Sequence, residues 1–147
     1  MRSTIAATAA WLTVMAFVPA TAQQKKAPAN AVKYDIVIKA DGGSYTGTMD
    51  LATVAGKVSG DMLISQPTEI TGKPAGTVKA GVMKLDFPYR MVQRACDGRI
   101  FMDIKIPAKA GAGPATGTVS IVGCDRTEAN KLPGTIELTR KAPEKKK

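Results

Sequence analysis

The chain has 147 residues, no histidine and two cysteines, and sets 21 Lys and Arg against 12 Asp and Glu for a formal net charge of +9. The lack of histidine excludes Ser–His and Cys–His nucleophile pairs and removes the commonest metal ligand. The charge does not mark a nucleic-acid module: Lys25, Lys26, Arg140, Lys141, Lys145, Lys146 and Lys147 hold most of it, which leaves the body between them with about +2.

The first residues read as a secretory signal peptide over 1–22. Arg2 supplies the basic start, Ile5 to Val18 is an uncharged apolar run, and Ala20-Thr21-Ala22 offers the small-x-small cleavage pattern near Ala22. The run is shorter than the roughly 20 residues of a membrane span. No cysteine follows the cleavage pattern, so no lipid anchor is expected, and no later apolar run is long enough to cross a bilayer as a helix. The expected location is secreted or periplasmic. Residues 23–31, beginning Gln23-Gln24-Lys25-Lys26-Ala27-Pro28, are polar and without period, and read as a flexible leader.

From Val32 the pattern changes to alternation. Val32, Tyr34, Ile36 and Ile38 fall in one phase, with Lys33, Asp35 and Lys39 in the other. Asp41-Gly42-Gly43 reads as a hairpin turn. The next strand places Tyr45, Gly47, Met49 and Leu51 inward. Ala55 to Ile64 repeats the phase with Val58, Met62 and Ile64. A short strand is expected around Glu69-Ile70-Thr71, then a hairpin of Gly76–Lys79 and Val82–Phe87 around Ala80-Gly81. Pro88 to Ala95 reads as irregular. Cys96 to Ile106 and Ala115 to Cys124 form a further hairpin, with Ile100, Met102, Ile104 and Ile106 in phase on one side and Val119 and Ile121 on the other. Asp125 to Pro133 reads as a loop, with room for one helical turn at 127–130. Gly134–Thr139 closes a body spanning 32–140, and 141–147 is a basic tail.

Antiparallel pairing around the loop 109–114 brings Cys96 and Cys124 to the same end of their hairpin, where a disulfide closes without bending the backbone. In an exported chain the pair reads as that bond, worth about 3.5 kcal/mol in the chain-entropy model.

About eight short, hairpin-linked strands with no helical period give an all-β class. The expected architecture is an antiparallel up-and-down meander in a closed or nearly closed barrel; the alternative is a two-sheet sandwich. In strand number and glycine spacing this resembles the small secreted barrels of the lipocalin and avidin type. The tryptophan signature of those families is absent, since the single Trp is Trp11 in the signal segment. The resemblance therefore transfers no site residues.

Three groups of residues are candidates for function. Tyr89, Arg90, Arg94, Arg99 and Arg126 form a rim cluster suited to carboxylate or phosphate, with pairing to Asp97, Asp125 and Glu128 as the bland alternative. Met49, Met62, Met83, Leu85, Phe87, Ile100, Met102 and Ile104 mark an apolar interior, which either fills the barrel or receives one small ligand. Asp35, Asp50, Asp61, Asp86 and Asp103 are the carboxylates a hydrolase would use, but they lie in the polar phase expected of solvated outer charges. No catalytic residue, metal site or cofactor is implied. The reading is an exported binding or interaction domain that is not an enzyme. Its alternatives are an apolar-ligand carrier, an envelope-associated structural protein and a carboxylate-dependent hydrolase. The expected partners are a small ligand or an envelope protein, with weak contact of the tails to anionic surfaces and no specific nucleic acid.

Overall fold

The computed structural model describes residues 31–91, 94–109, 113–123 and 130–142. Residues 1–30, with the signal segment and most of the leader, Cys124, Arg126 and the first three residues of the expected turn at 127–130 lie outside these residues. Nine strands appear: β1 (Val32–Ala40), β2 (Gly43–Val54), β3 (Lys57–Gln66), β4 (Ile70–Gly72), β5 (Ala75–Lys79), β6 (Val82–Met91), β7 (Cys96–Lys105), β8 (Ala115–Gly123) and β9 (Leu132–Arg140). Every pairing is antiparallel, and β9 returns to β1, so the sheet closes into an eight-strand barrel with no free edge.

The ninth strand is the three-residue β4. It keeps the same register as β5 against both neighbours: Met62 faces Gly72 and Ser59 faces Ala75 across β3, while Tyr89 faces Gly72 and Asp86 faces Ala75 across β6. The two pieces are thus one line of chain broken at Lys73-Pro74. Across the break only the Pro74 carbonyl stays in the ladder, accepting from the Gly60 amide at 3.1 Å.

Two prolines explain this break, and one of them corrects the sequence reading. The segment from Pro88 was expected to be irregular, yet β6 runs unbroken through Met91, with Pro88 opposite Arg99. The Pro88 carbonyl points towards Gly72. In an antiparallel strand a residue's N–H and C=O point to the same side, so the missing Pro88 donor falls on the β4–β5 side, where the ladder already lapses at Pro74. Its β7 side loses nothing.

Following the registers round the ring from Val32 leads through Leu51, Gly60, Pro74, Phe87, Ile100, Ile121 and Leu132, and back to the line of β1 at Gly42. That offset implies strands tilted by about 40° and an interior only wide enough for side chains or one small ligand. All eight residues named for the apolar interior are buried, and no polar or charged side chain is buried among the described residues. Phe87, Met49 and Ile104 have no exposed surface at all. Ile106, expected in the inward phase, instead lies past the end of β7 and is exposed.

Three hairpins turn on two residues with positive φ: Asp41-Gly42, Ala55-Gly56 and Ala80-Gly81. This is the turn whose twist matches the flanking strands. No helix of the described residues is long and apolar enough to cross a membrane.

Candidate functional site: the barrel mouth

The barrel has two different ends. At one, the β1–β2 turn, the end of β3, the start of β4, Arg94 ahead of β7 and Asn130 ahead of β9 surround a cavity of about 480 Å³. Ile38, Ile64, Ile70, Ile100, Ile121 and Leu132 form its apolar wall, and Asp41, Tyr45, Tyr89, Arg94 and Asn130 supply the polar groups. The volume lies inside the range of about 300–1,000 Å³ of small-molecule sites. The other end holds only about 210 Å³, between Tyr34, Met83, Ile106, Pro107 and their neighbours. A furrow of about 710 Å³ also runs along the outer face, past Val37, Thr116, Thr118, Thr135 and Glu137.

The strand period places each mouth residue. Tyr89 shares the inward phase of β6 with Phe87, and their rings stack with centroids 6.0 Å apart. Its phenol lies over Gly98 and Gly123, which face each other across β7 and β8; a Cβ on Gly98 would come within 2.5 Å of the ring. Burial, and to a lesser degree the Tyr45 phenol, raises the Tyr89 pKa above 10.0, so the group is a neutral hydrogen-bond donor at ordinary pH. Tyr45 follows the Asp41-Gly42 turn in the inward phase of β2. Just beyond it the register shifts between Thr46 and Gly47, and the Ser65 hydroxyl donates to the Thr46 carbonyl at 3.1 Å. Such a bulge bends the strand at the rim.

The rim cluster read from the sequence is divided by the same period. Tyr89 and Arg94 line the mouth, whereas Arg90 and Arg99 stand on the outer face. Arg99 forms a two-pronged pair with Asp86, its Nε donating to Oδ1 at 3.1 Å, and its guanidinium also lies 5.4 Å from the centre of the Phe101 ring. Arg90 lies 3.8 Å from Asp97. Asp125, Glu128 and Arg126 fall outside the described residues.

The aspartates named as hydrolase candidates lie on the outside. Asp35 pairs with Lys141 at 2.8 Å, Asp61 with Lys73 at 2.7 Å and Asp103 with Lys84 at 3.4 Å. Asp50 sits in register between Lys33 and Asp61. Among the described residues no three His, Cys, Asp or Glu side chains converge as a metal site.

Sequence reasoning missed Asp41 and Asn130 as mouth residues, because loop positions carry no phase. Tyr45 carried a signal: a phenol in the inward phase near a turn belongs to a rim. Comparison with known proteins finds no family model that matches the chain, no curated relative and no solved structure that matches the fold.

Proposed function

We propose that this chain is an exported binding module that takes a small, largely apolar ligand in the open mouth of its barrel. The observation that carries the reading is the asymmetry of the two ends: a cavity of about 480 Å³ lined by apolar and polar groups together, against about 210 Å³ at the other end. An enzyme is the weaker reading, since the carboxylates named for it face outward, and four of the five are engaged with lysine or arginine. Export rests on the apolar run from Ile5 to Val18 and the pattern Ala20-Thr21-Ala22. A Cys96–Cys124 disulfide belongs to the same reading. Gly98 faces Gly123, so the position before Cys124 lies two residues along the ladder from Cys96, a spacing that supports closure at the mouth.

The test uses 1-aminoanthracene, an uncharged apolar fluorophore, titrated into the exported protein. Its emission should rise on binding with a single site. Leu132→Trp, which fills the mouth, should weaken binding by about tenfold or more. Val54→Trp, at an exposed position near the opposite end, should leave it unchanged. Equal binding by both variants, or none by the unmodified protein, defeats the proposal.

A further inference from the structure

The two charged residues described at the mouth, Arg94 and Asp41, differ in how they are engaged. Arg94 lines the cavity and, among the described residues, takes part in no ion pair or hydrogen bond. This separates it from Arg90 and Arg99, whose guanidinium groups face Asp97 and Asp86 on the outer wall. Asp41 is the carboxylate among the described lining residues, and it is already engaged in an interaction of its own. Tyr45 and Tyr89 add two phenol hydroxyls, whose O–H groups can donate to an anion. Burial holds the Tyr89 phenol in its protonated, donating form. The rest of the wall is largely isoleucine and leucine, and among the described residues no polar side chain is buried.

A guanidinium, two phenols and an apolar wall lining one cavity suit one chemistry: a short apolar body ending in a single carboxylate. Arg recognises a carboxylate through paired N–H donors. A neutral ligand of the same shape leaves those donors to water, and a cation is repelled by them. We infer that the mouth selects monoanionic amphiphiles of the monocarboxylate class, with Arg94 as the residue that receives the carboxylate and Tyr45 and Tyr89 as supporting donors. This rests on the reading of the mouth as a binding site and names what that site prefers.

Decanoate and 1-decanol differ in the head group and share the apolar chain, so their competition against bound 1-aminoanthracene isolates the charge. On the full chain, decanoate should displace the fluorophore at about one-tenth the concentration that decanol requires. Arg94→Gln should bring decanoate to the level of decanol and leave decanol unchanged. Arg90→Gln, on the outer wall, should preserve the preference, which removes the general positive charge of the chain as its source. Tyr45→Phe and Tyr89→Phe should each weaken decanoate by a few fold. Equal displacement by both compounds in the unmodified protein, displacement by neither, or a preference that survives Arg94→Gln overturns the inference while the fluorophore still reports an open mouth. Failure of the fluorophore itself to bind removes the mouth as a site and the inference with it.

Discussion

The two ends of this barrel are made from the same eight strands and are finished by different means. At the mouth, two glycines, Gly98 and Gly123, make room for a phenol; the nearest atom to a Cβ on Gly123 would be the Tyr89 hydroxyl, and the nearest backbone atom is 3.5 Å away. Towards the other end the glycines make room for chain. A Cβ on Gly76 would fall on the Lys84 carbonyl, and one on Gly60 on the Asp50 carbonyl. The turns differ too. The mouth hairpin turns on Asp41-Gly42 and the opposite hairpins on Ala55-Gly56 and Ala80-Gly81, with Ala55 and Ala80 at φ of 48° and 50° and Ala95, beside Arg94, at 46°. Space beside Gly123 is therefore set by a side chain that can adjust, and space at Gly60 and Gly76 by backbone that cannot.

The largest effect expected from this contrast is in paired glycine variants. Gly76→Ala has only backbone to displace and should cost about 3 kcal/mol in urea unfolding. Gly123→Ala needs only the Tyr89 phenol to tip, and should cost about 1 kcal/mol while altering fluorophore binding. Similar losses at both sites would mean that the mouth is as firmly set as the far end.

An intermediate effect comes from pH. The Tyr89 pKa is raised in the folded chain, so the native state keeps a proton that the unfolded chain gives up near pH 10. The stability this provides is complete below about pH 10 and is lost as pH climbs through the folded value. Absorbance titration should show one of the three tyrosines ionising last, and Tyr89→Phe should remove that step and flatten the fall in urea midpoint above about pH 10. If the late step survives in Tyr89→Phe, another tyrosine is the buried one.

The smallest effect is a gain. Ala80 occupies a left-handed position that costs an ordinary residue about 1–2 kcal/mol and that asparagine tolerates. Ala80→Asn should raise the Tm by a few degrees, and Asp41→Asn, at the turn that already suits its conformation, should hardly move it.

Much of the barrel was legible because period two marks an inner face directly. The phase of Met83, Leu85 and Phe87 on β6, and of Ile100, Met102 and Ile104 on β7, was enough to place all six in the core. The phase could have been carried one step further to Tyr89. Pro88 suggested an interruption instead, and its harmlessness depends on a second proline across the sheet, Pro74, that no local pattern connects with it. The rim was less legible. Arg90, Arg94 and Arg99 are close in sequence, but alternation and a turn send two to the outer wall and one to the cavity. Closure also brings Tyr45, Ile70 and Leu132 to one opening from distant strands, a convergence that requires the ring as a whole.

The seam between β1 and β9 has a practical meaning. Tyr34 faces Arg140, the Lys141 amide donates to the Lys33 carbonyl at 2.9 Å, and Lys141 reaches Asp35. The barrel is thus entered and left through neighbouring strands, at the end away from the cavity. A linker joining these points would be short, which makes the fold a natural subject for circular permutation with new termini cut at Ala80-Gly81. A label or surface tether attached directly before Val32 or after Lys141 would sit opposite the mouth and leave its opening unobstructed.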